Sequence, residues 1–69
     1  MKINLQQELK FIHSEKMNTV DKNSLSFEML NIAQVLISNY ANAETKKLKS
    51  FYRTIYFKTK NFYLNQYKL

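Results

Sequence analysis

The chain of 69 residues contains no glycine, no proline and no cysteine. Turns that need a positive φ have no glycine to occupy them, so hairpin-rich folds are disfavoured. Glycine-rich loops that cradle phosphate groups are excluded for the same reason. The absence of cysteine excludes disulfides, thiolate metal sites and thiol redox chemistry. This composition favours helices joined by asparagine-containing corners, because asparagine tolerates the left-handed conformation best among the remaining residues.

Acidic side chains are absent after Glu44. Residues 46–69 carry seven lysine or arginine side chains and seven of the ten aromatic residues, whereas residues 1–45 carry four lysines and five carboxylates. We therefore predict one domain, residues 1–69, which combines a near-neutral body, 1–45, with a basic aromatic C-terminal helix, 46–69. A cationic segment on a neutral body suits a polyanion or a protein partner.

The small size of the chain limits the core that it can form. A domain of about this length buries only roughly 60% of the surface that its unfolded chain exposes. Since no disulfide is available, we expect additional stability to come from self-association, as in a homodimer, or from a larger partner.

The N-terminal segment, residues 1–13, lacks the continuous apolar run of a signal peptide. The most apolar segment, residues 27–43, is interrupted by polar side chains and falls short of the ~20 apolar residues that a membrane span needs. We therefore expect a cytoplasmic protein.

Apolar spacing predicts an all-α fold of three helices, the first two at about residues 2–16 and 25–40. The first helix has one apolar stripe, formed by Leu5, Leu9 and Ile12. The second is apolar on most sides, which indicates a central helix that forms the core. A serine, Ser24 or Ser26, is expected to cap it.

The third helix is predicted at about residues 44–67. Asn39 is a candidate for the end of the second helix, and Asn42 for the cap of the third. Two alternatives remain open. One is a single long bent helix in place of the second and third, and the other is a hairpin of strands 54–57 and 62–67, which tyrosine, phenylalanine and threonine favour.

The third helix is expected to place its cations opposite its apolar side. Its apolar positions are Leu48, Phe51, Tyr52, Ile55, Tyr56, Phe62 and Tyr63. The side with Leu48, Phe51, Ile55 and Phe62 is predicted to be an apolar stripe that faces the core. The opposite side, which we call the basic face, is expected to bind the partner, with two apolar side chains among its cations: Lys46, Lys49, Arg53, Phe57, Lys60, Leu64 and Lys68.

Three binding functions fit this pattern. The first is contact with nucleic-acid phosphates, DNA or RNA, by the lysines of the basic face. The second is modulation of a host or partner protein, with Phe57 and Leu64 as anchors inside a charged rim. The third is peripheral binding to an anionic membrane. The size and composition resemble those of small phage or plasmid regulators in general.

An enzymatic function is not expected. His13 is a single histidine on a polar helix side, and a solvated side chain is the simplest interpretation of it. The carboxylates are scattered, with Glu8 and Glu15 seven residues apart and no nucleophile–base pair near them. We expect no metal and no cofactor.

Overall fold

The computed structural model of the protein describes residues 3–68. It consists of three helices, α1 (Leu5–Asn18), α2 (Leu25–Asn42) and α3 (Lys46–Tyr67). This part of the chain contains no strand, and short links separate the helices. The predicted all-α fold of three helices is therefore confirmed, and the hairpin and the single bent helix are both excluded.

A polar residue directly before each helix caps its first turn. The side chains of Asn4, Ser24 and Thr45 accept hydrogen bonds from the amide three residues further on, at 3.1–3.2 Å. The prediction for Ser24 is confirmed. The predictions for Asn39 and Asn42 are wrong, because α2 continues through Asn42 and the Thr45 hydroxyl supplies the cap of α3.

The corners between helices use extended backbone. Thr19 ends α1 at φ −86° and ψ 116°, and Ala43 ends α2 at φ −67° and ψ 134°. No residue within 3–68 has a positive φ. The expected left-handed asparagine corners are thus absent from this range, since extended links reverse the chain without the conformation that glycine would favour.

The helices run up, down and up. The short link between α2 and α3 makes these two helices antiparallel. Glu8 near the start of α1 contacts Tyr56 of α3, and Glu15, two helical turns further along, contacts Tyr63. Because the contacts advance in the same direction on both helices, α1 and α3 are parallel, with α2 antiparallel to both.

The core lies between the three helices and is small. Its central cluster consists of Ile12, Ala33, Ile37 and Tyr56, all nearly inaccessible to solvent. Leu5 and Leu9 pack against that cluster beside Ile12, which confirms the predicted stripe of α1. The central role predicted for α2 is confirmed as well, because it contributes most of the buried aliphatic side chains, namely Leu30, Ala33 and Ile37.

Candidate binding surfaces of helix α3

The inner side of α3 is formed by tyrosines. Tyr56 is 0% exposed and Tyr63 4% exposed, whereas Phe51 and Phe62 of the predicted core-facing stripe are 55% and 51% exposed. Leu48 is also exposed and Ile55 is partly buried. The prediction that this stripe faces the core is therefore wrong. The helix is rotated so that side chains carrying a hydroxyl, rather than the phenylalanines, point inward.

The rotation is explained by a carboxylate on the inner side of α1. Glu8 precedes Ile12 by four residues, so both point toward the core, and Glu8 is only 8% exposed. A buried carboxylate needs hydrogen-bond donors. The Tyr56 hydroxyl donates to Glu8 Oε1 at 2.6 Å, and the Lys60 ammonium lies 2.8 Å from the same oxygen. Phenylalanine has no donor and would leave the carboxylate unsatisfied.

The same arrangement recurs two helical turns further along. The Tyr63 hydroxyl donates to Glu15 Oε1 at 2.7 Å, and the Lys68 ammonium lies 3.3 Å from that oxygen. Seven residues separate the two glutamates, and seven also separate the two tyrosines. Because seven residues are close to two turns, the second pair stacks along the helices in register with the first.

Both tyrosines remain neutral over the ordinary pH range. Burial raises the pKa of the Tyr56 phenol well above its usual value, and the hydrogen bond to the Glu8 carboxylate raises it further. Burial and then the Glu15 carboxylate raise the pKa of Tyr63 in the same way. A phenol held as a donor to a carboxylate stabilises the packing of α1 on α3, and its raised pKa opposes use as a general base.

These contacts occupy much of the predicted basic face. Lys60 and Lys68 are paired with carboxylates of α1, and Lys60 also lies over the Phe11 ring at 4.6 Å. The Phe57 ring packs against the core cluster, and Leu64 is partly buried. The C-terminal half of the basic face is therefore an intramolecular interface with α1.

The N-terminal half of α3 carries four cations, two of which are exposed. Lys46 and the neighbouring Lys47 are exposed, while Lys49 and Arg53 are partly buried beside them. The Lys49 ammonium donates to the Tyr40 carbonyl at 3.2 Å. We call Lys46, Lys47, Lys49 and Arg53 the cationic end of α3.

The cationic end lies at an unfavourable place for positive charge. A helix N-terminus carries a partial positive charge of its own. Glu8 and Glu28 offset that charge in the first turns of α1 and α2, but the first turn of α3 has no acidic residue. A bound anion would be attracted by the lysines and by the helix end together.

A second outward surface is apolar. The exposed apolar side chains of α2 are Leu25, Ile32 and Val35, which are 74%, 49% and 57% exposed. On α3, the side chains of Leu48, Phe51 and Phe62 are exposed as well. We call the two sets, with the partly buried Ile55, the α2–α3 face.

The two sets share one side of the molecule. Ile32 lies two residues from Gln34, which accepts a hydrogen bond from Lys16 of α1, so these side chains point about 160° apart. Phe62 lies two residues from Lys60, which is bound to Glu8 of α1. The side chains of Phe62 and Lys60 therefore also point about 160° apart. Ile32 and Phe62 therefore lie on the side of the α2–α3 pair that faces away from α1, whereas Val35, next to Gln34, lies at the edge of the face.

Sequence reasoning counted Tyr56 and Tyr63 among the apolar positions of α3 but did not single them out as its inward side, and it missed Lys47 and the α2 part of the α2–α3 face. A usable signal for the tyrosines was present, since the seven-residue spacing of Tyr56 and Tyr63 matches that of Glu8 and Glu15. His13 is exposed, as its position on a polar side predicted. Within the described range, no group of three or more histidine or acidic residues is arranged to hold a metal ion. None of the helices of residues 3–68 is long and apolar enough to span a bilayer.

Comparison of the chain with protein families, curated proteins and solved structures finds no match. A functional proposal therefore depends on the geometry and charge of the two surfaces of α3.

Proposed function

We propose that this protein is a small non-enzymatic binding protein that contacts nucleic-acid phosphates through the cationic end of α3. One observation carries the proposal. Four cations lie within the first eight residues of a helix that contains no carboxylate. The net charge of +6 adds a long-range attraction that raises the rate of encounter with a polyanion.

The length of the cationic end fits several phosphates. Eight helical residues extend over about 12 Å, and duplex DNA carries one charge per ~1.7 Å of its axis. Lysine provides point charges rather than the paired donors that read base edges. Binding through these residues is therefore expected to depend on salt and to discriminate little between sequences.

The proposed site differs in part from the predicted basic face. Lys46, Lys49 and Arg53 remain in it, and Lys47 joins them. Lys60 and Lys68 are not included, because carboxylates of α1 already neutralise them.

The alternative function, docking on a partner protein through Phe57 and Leu64, has less support. Phe57 packs against the core cluster, and the Lys60 ammonium lies 6.0 Å from the centre of its ring. An anchor residue of an interface needs to be available to the partner.

The test is a titration of labelled duplex DNA, single-stranded DNA and single-stranded RNA with the protein, followed by fluorescence anisotropy. We expect micromolar or tighter binding near 50 mM salt and a steep loss of affinity toward 200 mM. The double variant Lys46→Gln, Lys47→Gln should reduce the slope of log K against log salt by roughly two on duplex DNA.

The matched control is Lys10→Gln, which removes an exposed cation of α1 outside the site. It should change affinity and slope much less than the double variant. Absence of binding to all three nucleic acids at low salt would overturn the proposal, and so would an equal loss in the control and the double variant.

A further inference from the structure

The α2–α3 face is too apolar to be explained as scattered surface residues. Six of its side chains are 45–74% exposed, and they lie together on two neighbouring helices. Their combined exposed area is on the order of 600 Å². Two such surfaces together would bury roughly 1,200 Å², which is the lower end of the range for stable protein interfaces.

The two helices of this face carry the same residue pattern with opposite charges. On α2, Leu25, Glu28 and Ile32 follow one another at spacings of three and four. On α3, Ile55, Lys58 and Phe62 have the same spacings. Residues three and four apart share a helix side, so each charge lies between two apolar groups of the face. Glu28 and Lys58 are exposed, and neither forms an ion pair within residues 3–68.

The two patterns occupy nearly the same level along the bundle. The contact between Lys49 and the Tyr40 carbonyl sets these residues at about the same height. Because α2 and α3 are antiparallel with equal rise, Glu28, twelve residues before Tyr40, lies at the height of Asn61. Lys58 is three residues from Asn61, about 4.5 Å along the axis.

We propose that the α2–α3 face binds a second copy of this chain, with a twofold axis parallel to the helices. Rotation about that axis leaves the position of every residue along the bundle unchanged. It places α2 of one copy against α3 of the other, and these two helices are antiparallel. Glu28 of each copy then meets Lys58 of the other, and Leu25 and Ile32 meet Phe62 and Ile55. The interface is self-complementary, as a twofold contact requires.

The other twofold arrangement is disfavoured by charge. An axis across the helices would place α3 on α3 and α2 on α2. The two α3 helices, which carry lysines and arginine but no carboxylate, would then face each other. Like charges brought together across an interface are unfavourable.

This inference is independent of nucleic-acid binding, and salt distinguishes the two. Salt screens both the repulsion between the two positively charged copies and the attraction between Glu28 and Lys58, so dimerisation is expected to change little as salt rises. Contact with phosphates weakens under the same change.

The experiment is sedimentation velocity over roughly 5–500 µM protein, with far-UV circular dichroism to confirm that each variant is helical. The wild-type chain is expected to show a reversible monomer–dimer equilibrium. The double variant Ile32→Gln, Phe62→Gln should remain monomeric. The matched control Met17→Gln, Val20→Gln removes two apolar side chains that are exposed elsewhere, and it should dimerise as the wild type does.

Charge exchange tests the orientation. Glu28→Lys and Lys58→Glu should each raise the dimer dissociation constant by roughly tenfold or more, and the combined variant should restore it. A wild-type chain that is monomeric at 500 µM overturns the inference, even if it captures another protein. Dimerisation of the Ile32→Gln, Phe62→Gln variant would show that the α2–α3 face is not the interface. Failure of the combined charge variant to restore association would contradict the twofold arrangement.

Discussion

The Tyr56 hydroxyl donates to Glu8 across 48 positions of the sequence, at 2.6 Å. This hydrogen bond joins the first helix to the third in the interior of the bundle, and it determines which side of α3 faces inward. The cations of α3 are divided by the same rotation. Lys60 and Lys68 turn toward α1, whereas Lys46, Lys47 and Lys58 remain in solvent.

The first prediction concerns the energy of this bond. Tyr56→Phe removes the donor to Glu8 and leaves the ring in place, so the carboxylate keeps only Lys60 inside the protein. We expect the free energy of unfolding to fall by about 1–3 kcal/mol, which is typical of a lost hydrogen bond to a charged group. Urea unfolding followed by circular dichroism measures this change.

The control for that prediction is Tyr52→Phe. Tyr52 lies on the same helix and is only partly buried, and its hydroxyl is not hydrogen-bonded within residues 3–68. Its loss should change the stability by less than about 0.5 kcal/mol. Equal effects of the two variants would show that the Glu8 contact does not stabilise the fold.

The number and approximate positions of the helices could be predicted from the sequence, but the orientation of α3 could not. Apolar periodicity and the Ser24 cap depend only on residues close in the sequence, and the structure confirms the predictions made from both. The choice between Phe62 and Tyr63 as an inward residue depends on Glu15, 48 positions away from that tyrosine. Hydrophobicity alone places phenylalanine inside and tyrosine at the surface, and only a buried carboxylate reverses that preference.

The candidate site could also be predicted only in part. The cluster of cations in α3 is visible in the sequence, and Lys46 and Lys49 were assigned to the basic face from it. Which lysines are neutralised could not be predicted, because Lys60 and Lys68 meet partners on α1 only after the three helices have packed. Charge patterns within one helix do not report ion pairs between helices.

The second prediction concerns alkaline pH. The pKa of Tyr56 is raised by folding, so the folded state favours the neutral phenol. The stabilisation is fully present below the unfolded pKa of about 10 and is lost as pH rises above it toward the folded pKa. Between pH 10 and 11, the unfolded state gains stability by ionising this group, on the order of 1 kcal/mol.

The measurement is the free energy of unfolding at pH 8, 10 and 11 for the wild type and for Tyr56→Phe. Other groups, such as lysines, also titrate in this range, so the difference between the two proteins isolates the tyrosine. The destabilisation caused by the substitution should shrink as the pH rises. A difference that stays constant from pH 8 to pH 11 would contradict the raised pKa.

The third prediction separates exposed from buried apolar residues. Phe62→Gln changes a half-exposed side chain of the α2–α3 face and should alter the stability of the monomer by about 0.5 kcal/mol or less. Ile37→Ala opens a cavity at a residue that is 1% exposed and should cost roughly 2–5 kcal/mol. Thermal unfolding at low protein concentration checks both. A large loss of monomer stability in Phe62→Gln would indicate that the stripe faces inward after all.

The last prediction is that one change at the cationic end of α3 raises the stability of the protein and lowers its affinity for nucleic acid. Lys46 and Lys47 lie in the first turn of the helix, where negative charge is favoured by roughly 0.3–1 kcal/mol per residue. The double variant Lys46→Glu, Lys47→Glu should therefore unfold at a higher urea concentration than the wild type.

The same variant should lose measurable affinity for nucleic acid, because two attractive charges are removed and two repulsive ones are introduced where phosphates are expected to bind. Lys10→Glu, at an exposed position within α1, is the control and should raise stability little. Gain of stability with loss of binding would mean that these lysines are retained for contact with an anion at some cost to the fold. If the variant loses stability and its binding is unchanged, negative charge does not stabilise the N-terminus of α3, and phosphates do not bind at Lys46 and Lys47.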